Sequence, residues 1–405
     1  TSLFYTEVNH LKSSNSGVSN YSITGSITYQ VELNFTLTHN TLDEKLYSSR
    51  YYFKFASLNN RHPNSSLTQY TPPYQESSLT HHKIIGSDFS PYISQDEFNN
   101  TYDIFNATLS PSQSISLSQE YIIKLNAISF ANIDPTDIGT YDTSEEMFDL
   151  YCNNSEIYYE RDDPNINATS FSIVDLGDNP VEKAQKICNW VSSYLTYDGT
   201  LPSQEKGALW AYNNGRGDCS EYSSLMITLL RCQGIPARKV TGYVFSNNPR
   251  IQPYLGEQKT FYISKTGGSS STNFLGHAWV EYYVPNIGWI ACDPTWHGEI
   301  NYFNRIDYLR FTSNVGAWFS IPMMPANPQS EFPNPCIVYN STADFNYDYR
   351  VVITVLESTS SPLNLLAIVI IVGTIVGLVS IIVLVIVISR RNKKRTKKKM
   401  EEGYY

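Results

Sequence analysis

The sequence predicts an α+β protein with an N-terminal all-β, sandwich-like domain, a second domain that contains helices, and one C-terminal transmembrane helix. Short runs rich in Ile, Val, Tyr and Thr dominate roughly the first 160 residues, and all six tryptophans lie between residues 190 and 318. Residues 365–388 form an uncharged, mostly aliphatic stretch. We place the domain boundaries at 1–165, 166–325, 326–362 (closing strands and a stalk), 363–389 (the transmembrane helix) and 390–405 (a basic tail).

The N-terminal region is predicted to be an antiparallel β-sandwich. Residues 21–38 and 121–130 alternate or run apolar in short bursts, and turn-forming pairs such as Pro72-Pro73 and Pro111-Ser112 separate such segments. We find no internal repeat and no catalytic grouping in the sequence of this region.

Two helices and three strands are predicted in the second domain. The first helix begins at the cap and N1 proline of Asn179-Pro180, and its apolar residues recur at helical spacing as far as Leu195. The second helix covers about 219–233, with Gly234 after its end. Strands follow at 238–245, 277–284 and 289–293. Residues 246–275, rich in Gly and Ser, are too long for a plain connection and are expected to form a lid.

A candidate nucleophile lies at the start of the second helix. Asp218-Cys219-Ser220-Glu221 reads as a capping box with Asp218 at the N-cap and Glu221 at N3. Cys219 is then the first helical residue, where unpaired amides and the positive end of the helix dipole favour a thiolate. The helix end and pairing with the imidazolium of His277, which we expect to be the larger effect, together predict a lowered pKa for Cys219.

A base and an orienting carboxylate are expected on the hairpin that follows. His277 opens an apolar strand in which an imidazole has no evident packing role, and Asp293 ends the next strand. Side chains alternate along strands, so both residues face the same side only if the connecting loop has an odd number of residues or a bulge corrects the register. Cysteine, histidine and aspartate in this arrangement follow the logic of a catalytic triad.

The segments GRGDCSEYSSLMITLLRCQGIPARKVTGYV (215–244) and GHAWVEYYVPNIGWIACDPTW (276–296) resemble the core of the transglutaminase-like superfamily of cysteine acyltransferases and peptidases. The resemblance covers roughly residues 175–320 and implies a papain-related catalytic domain. By the pattern of the family, Cys219 is the nucleophile, His277 the general base and acid, and Asp293 the orienting carboxylate. Peptide:N-glycanases share this core, but the paired Cys-x-x-Cys motifs that they usually carry are missing from this sequence.

The resemblance implies acyl transfer through a thioester on Cys219, acting on peptide or Gln side-chain amides. Water as the acceptor gives proteolysis or deamidation, which we favour slightly, and an amine gives a cross-link. The Cys219 N–H would be one oxyanion donor, while the second stays open among Tyr197, Trp210 and Tyr212. The rival interpretation is a surface binding or adhesion protein whose transglutaminase-like domain is not catalytic.

The remaining cysteines and acidic residues suggest no cofactor. The six cysteines form no Cys-x-x-Cys pair, which excludes a zinc ribbon. We expect a disulfide between Cys152 and Cys336, which flank the catalytic domain. Calcium binding by the acidic residues at 137–146 is conceivable, but EF-hand spacing is missing and a solvated loop is favoured.

The charge distribution predicts an outward-facing protein anchored in a cell membrane. The net charge of -9 combines an acidic body, which disfavours nucleic acid as a partner, with a tail that carries eight Lys or Arg residues directly after the apolar stretch. The positive-inside rule places this tail in the cytoplasm. A chain that starts at Thr1 is consistent with a removed signal peptide, and the eight Asn-x-Ser/Thr sequons fit an extracellular glycoprotein. The expected partners are a protein or peptide substrate at the cell surface and membrane lipid; the oligomeric state is open.

Overall fold

The computed structural model describes residues 20–40, 48–63, 70–131, 133–202, 205–298, 300–316, 336–339, 343–360, 373–374, 380–394 and 403. The chain divides into two compact units, Thr1–Glu357 and Ser358–Tyr405.

The strands and the α-helices in the described part of the chain are each numbered in chain order. The strands are β1 (Ser22–His39), β2 (Ser49–Ala56), β3 (Gln75–Ile85), β4 (Tyr92–Gln95), β5 (Thr101–Leu109), β6 (Ser114–Ser129), β7 (Thr196–Tyr197), β8 (Arg216–Gly217), β9 (Ala237–Val244), β10 (Gln258–Thr266), β11 (Ser269–Thr272), β12 (Gly276–Val284), β13 (Gly288–Cys292), β14 (Arg305–Ile306), β15 (Arg310–Val315), β16 (Cys336–Tyr339) and β17 (Phe345–Ser360). The helices are α1 (Glu146–Phe148), α2 (Pro164–Ile173), α3 (Pro180–Tyr194), α4 (Ala208–Asn214) and α5 (Cys219–Cys232).

The N-terminal strands are present, as predicted, and they lie in two antiparallel sheets. One sheet has the order β11-β10-β17-β1-β6-β14 with β3 also paired to β6, and the other has the order β16-β2-β5-β4. Strand β1 buries alternate residues from Ile27 to Leu37, which is the period that one covered face requires. Their side chains share one hydrophobic core with those of β2, β5, β6 and β17, so the two sheets pack face to face.

Segments from later in the chain complete these sheets. The strands predicted near the C-terminus are present as β16 and β17, while 317–335, 340–342 and 361–372 lie outside the described residues. The expectation of a lid at 246–275 is wrong. That segment contains β10 and β11, and β10 pairs with β17 through Phe261 opposite Val351. Phe261 is buried in the core of the two sheets, which explains why the segment is held there.

A third, four-stranded antiparallel sheet carries the candidate site, in the order β13-β12-β9-β15. Helix α5 packs on β12 and β9 on one side and is covered by α2, α3 and α4 on the other. Every residue of α5 is buried. Because its position is fixed from all sides, the start of α5 holds a defined place relative to the sheet.

A buried ion network ties the N-terminal region to β12, the strand that carries His277. Arg61, from the connection between β2 and β3, donates two hydrogen bonds of 2.6 and 2.7 Å to Glu281 of β12. Arg238 of β9 donates to the same carboxylate and lies 3.8 Å from the centre of the Trp289 ring. Removing one partner from such a network typically costs about 3–5 kcal/mol, because a buried charge is left uncompensated.

The predicted transmembrane helix 363–389 lies largely outside the described residues. Within it the structure describes 373–374 and 380–389, which are helical, and the helix continues to residue 394 in the basic tail. Across the described ranges, no helix combines the length and the apolar character needed to cross a membrane.

Candidate active site

The capping box predicted at the start of α5 is confirmed. The Asp218 side chain accepts a hydrogen bond of 2.8 Å from the backbone N–H of Ser220, and Glu221 accepts one of 3.0 Å from the N–H of Asp218. Cys219 is the first residue of the helix and is 7% exposed. The structure therefore places the predicted nucleophile at the predicted helix position.

The approach to this helix requires a glycine at position 217. A Cβ atom there would lie 2.3 Å from the Cβ of Glu221, so any larger residue would push the first turn of α5 away. The two-residue strand β8 pairs in parallel with β7, opposing Tyr197 to Gly217. This pairing brings Tyr197 next to the residues that lead into Cys219.

The hairpin places His277 and Asp293 on the same face, as the triad hypothesis requires. Val284 pairs with Gly288, so the loop contains three residues, 285–287, an odd number. Asn286 takes a left-handed conformation with φ of 66°. With this register both side chains point the same way, and His277 Nε2 lies 2.7 Å from Asp293 Oδ2.

Asp293 is fully buried and has hydrogen-bond donors on both carboxylate oxygens. Its Oδ1 accepts from the backbone N–H groups of Thr295 and Trp296, at 3.0 and 3.3 Å. Its Oδ2 is shared by His277 and Arg310, each at 2.7 Å. Burial raises the pKa of Asp293, but His277 and Arg310 outweigh that effect and hold the pKa well below its usual range. The carboxylate is therefore ionised.

His277 is held between the carboxylate and aromatic rings. Its ring stacks on Trp296 at 5.0 Å between centroids, and only 4% of the residue is exposed. Because Nε2 faces Asp293, Nδ1 is the nitrogen left for a reacting group. The backbone N–H of Ala278, the neighbour of His277, faces the Cys219 sulfur closely enough to lower the pKa of its thiol. The start of α5 and the His277–Asp293 pair thus lie at the same edge of the sheet.

The expectation of a lowered thiol pKa is wrong. Burial raises the pKa of Cys219, and the carboxylate of Asp218 raises it further, while the N–H of Ala278 lowers it. The helix end favours the thiolate by only about 0.3–1 kcal/mol, which is too little to offset desolvation of a buried sulfur. Burial therefore favours the thiol form of Cys219 over the thiolate.

Arg310, the first residue of β15, is a site residue that the sequence reasoning missed. Its guanidinium is buried, bonds to Asp293 and Asp307, and lies 4.3 Å from the centre of the Trp296 ring. No motif marks this arginine. The available signal was topological. Strands β12 and β15 both run antiparallel to β9, one on each side of it, so both start at the same edge of the sheet. Strand β13 ends at that edge, which brings Arg310 near Asp293.

Of the three aromatic residues considered as a second oxyanion donor, Tyr197 has a hydroxyl that interacts electrostatically with Cys219 and Asp293. Burial, Cys219 and Asp218 together raise the pKa of its hydroxyl to about 12. The Tyr212 hydroxyl instead lies 2.9 Å from that of Thr169, and Trp210 stacks with Arg216 at 5.7 Å.

The disulfide predicted between Cys152 and Cys336 is not formed, because all six cysteines are free thiols. Cys152 is buried with its sulfur 3.9 Å from the carbonyl oxygen of Arg231, at the end of α5. Cys336 lies on β16 opposite Lys54 and packs on the cluster of Ala56 and Tyr102. Different elements of the fold therefore surround the two residues. In the part of the chain that the structure describes, no three His, Cys, Asp or Glu side chains are grouped to hold a metal ion.

Comparisons with known proteins find similarity in the region that carries the candidate site. Residues 167–294 match the family model described as the transglutaminase-like superfamily. The uncharacterized protein YebA of Bacillus subtilis is 32% identical over 124 residues, which are 29% of this chain and 16% of that protein. A protein-glutamine gamma-glutamyltransferase of Pseudomonas aeruginosa is 36% identical over 86 residues, 21% of this chain and 11% of that protein. The chain thus matches only a small part of the length of these curated relatives.

Two solved structures also align with the chain. A candidate cysteine protease from Cytophaga hutchinsonii aligns with 81% of this chain and 99% of its own, at 14% identity and a TM-score of 0.45. The periplasmic domain of TgpA from Pseudomonas aeruginosa aligns with 70% of this chain and 96% of its own, at 17% identity and a TM-score of 0.31.

Replacing Asp218 by Asn should make Cys219 react faster with iodoacetamide above pH 7. Asn keeps the helix cap, but it removes the negative charge that opposes the thiolate. Because burial and Glu221 raise the pKa of Asp218 to about 7, the carboxylate is charged only above that pH, and the two rate profiles should converge below it. The measurement is mass spectrometry of the Cys219 peptide between pH 5 and 10. Asp163→Asn, which changes the N-cap carboxylate of α2, is the control, and an unchanged or slower rate for Asp218→Asn would contradict the assignment.

Proposed function

Because residues 167–294 form a domain of the transglutaminase-like superfamily, we propose that this protein is a cysteine acyl-transfer enzyme that acts on peptide or Gln side-chain amides. Cys219 is the nucleophile, His277 the general base and acid, and Asp293 the carboxylate that orients the imidazole. The observation that carries the proposal is the 2.7 Å bond from His277 to the buried Asp293. The residue after His277 is Ala278, whose backbone N–H lowers the pKa of the Cys219 thiol.

The first half of the reaction forms a thioester. His277 Nδ1 accepts the thiol proton as the sulfur attacks the amide carbon, and Asp293 stabilises the resulting imidazolium. The backbone N–H of Cys219, at the open end of the helix, donates to the developing oxyanion. The tetrahedral intermediate then collapses, His277 returns the proton to the leaving nitrogen, and the C–N bond breaks to release an amine or ammonia.

The second half transfers the acyl group to water or to an amine. Water gives proteolysis or deamidation, which we place first because it requires no pocket for an acceptor. An amine gives a cross-link, and the name of the Pseudomonas relative supports testing Gln side chains as acyl donors. The second candidate is a surface binding protein, favoured by the size of the β-sheet region that adjoins the catalytic sheet.

Substitution of Cys219 and of Asp293 should separate enzyme from binding protein. Full-length protein is incubated with β-casein, with and without dansylcadaverine, and peptide cleavage, ammonia release and dansyl incorporation are measured. Cys219→Ala should abolish all three signals. Asp293→Asn should lower turnover about 10³–10⁴-fold, because it disturbs the orientation and tautomer of His277 but leaves the thiol in place.

The matched control is Cys232→Ala, which removes the cysteine at the other end of α5 and should leave the rate unchanged. Ammonia release that persists in Cys219→Ala would contradict the proposal. Ammonia without dansyl incorporation would identify a hydrolase, whereas incorporation would identify a cross-linking enzyme.

We further propose that the Tyr197 hydroxyl is the second oxyanion donor. Its electrostatic coupling to Cys219 and the pairing of β7 with β8 support this role. Tyr197→Phe should lower kcat about 10²-fold, because one hydrogen bond to the oxyanion is lost. The alkylation rate of Cys219 should not change. Tyr212→Phe is the control, since that hydroxyl bonds to Thr169. A kcat equal to that of the wild type would rule out Tyr197 as the donor.

Membrane anchoring with an extracellular body is a separate proposal, supported by the apolar residues 365–388 and the eight basic residues that follow. A protease added to intact cells should remove the region before residue 360 and leave an epitope in the tail protected. Permeabilised cells are the control, in which the tail should also be digested. Loss of the tail epitope from intact cells would reverse the orientation.

A further inference from the structure

Two carboxylates and two aromatic rings hold the guanidinium of Arg310 in the proposed active site. Its Nη2 lies 2.7 Å from Asp293 Oδ2, the same oxygen that His277 Nε2 contacts at 2.7 Å. Its Nη1 bonds to Asp307, whose Oδ2 also accepts a hydrogen bond from the Tyr302 hydroxyl. The side chain is 1% exposed, so these contacts act with little screening by water.

The contacts exploit properties that only an arginine side chain has. The planar guanidinium bridges two carboxylates with two different nitrogens and lies 4.3 and 4.6 Å from the centres of the Trp296 and Tyr302 rings. A lysine ammonium is a point charge that cannot bridge both carboxylates and stack on the rings at once. Arg310 therefore fixes the direction of the Asp293 carboxylate as well as its charge.

We propose that Arg310 is a positioning residue that holds Asp293 Oδ2 on His277 and sets the pH below which His277 stops acting as a base. The inference rests on the proposed function, because it assumes that His277 removes the thiol proton. Arg310 and the imidazolium compete for one oxygen. Since both are cations, the charge of Arg310 disfavours protonation of His277, and Asp307 partly offsets that charge.

Other charged and titratable groups face this centre, and none of them duplicates the contact of Arg310. These groups are Asp218 and Cys219 at the start of α5, Lys239 of β9, Tyr197 of β7, and His297, Tyr302 and Asp307 after β13. Arg310 is the only cation among them that bonds to Asp293 in the described part of the chain. Its removal should therefore dominate any change in the protonation of His277.

The test compares two substitutions that should act in opposite directions. In the full-length protein with Cys219→Ala, histidine is labelled with ¹³C at Cε1 and the His277 signal is followed by NMR from pH 4 to 9. His277→Gln assigns the signal. Arg310→Met should raise the titration midpoint by about 1 pH unit, because a cation at hydrogen-bond distance from the shared carboxylate is lost. Asp307→Asn should lower the midpoint, because the charge of Arg310 is no longer offset.

The controls separate charge, position and folding. Arg305→Met removes an exposed arginine from the same segment and should leave the midpoint unchanged. Arg310→Lys keeps the charge, so its midpoint should stay near that of the wild type while kcat falls in the Cys219 enzyme. If Arg310→Met fails to fold, Asp307→Asn and Arg310→Lys still decide the question.

Midpoints that do not move, or that move in the same direction for Arg310→Met and Asp307→Asn, would overturn the role of Arg310. The titration needs no substrate, so its result does not depend on turnover. Opposite shifts in a protein without Cys219-dependent turnover would refute the proposed function and leave the contact with Arg310 established.

Discussion

The Asp293 carboxylate is the group on which the geometry of the candidate site depends. A fully buried carboxylate would normally become neutral, since burial alone raises its pKa. Here two backbone amides, one imidazole and one guanidinium donate to its two oxygens, and the charge is retained. The imidazole comes from β12, the two amides from the residues that follow β13, and the guanidinium from β15. The carboxylate therefore fixes His277 and requires β12, β13 and β15 to meet at one edge of the sheet.

The sheet satisfies this requirement through its register. Strand β9 pairs with β12 on one side and with β15 on the other, which brings the starts of both strands beside the end of β9. The three-residue loop at 285–287 then turns Asp293 to the face of His277, and Gly288 lets the chain pass close to the carbonyl of Tyr70. A slip of one residue would move Asp293 to the opposite face. The buried ion network of Arg61, Glu281 and Arg238 opposes such a slip, because it fixes the middle of β12.

The features that could be predicted from the sequence are those with local physical causes. The capping box of Asp218 and Glu221, the start of α3 at Pro180 and the odd loop of the hairpin each depend on a few neighbouring residues. Arg310 could not be predicted, because its role depends on the pairing of β15 with a strand more than 60 residues earlier. The placement of β10 beside β17 and the separate surroundings of Cys152 and Cys336 also depend on long-range packing, which leaves no local pattern.

The wrong expectation for the thiol has a more general physical cause. A helix N-terminus and a capping box are visible in the sequence, and both act on Cys219, but burial is not visible and outweighs them. The capping carboxylate that starts the helix also opposes the thiolate, so one residue has opposite effects on structure and on ionisation. The proposed reaction therefore includes a proton transfer from Cys219 to His277. That transfer depends in turn on Asp293 and Arg310, which hold the other ring nitrogen of the imidazole through the shared carboxylate.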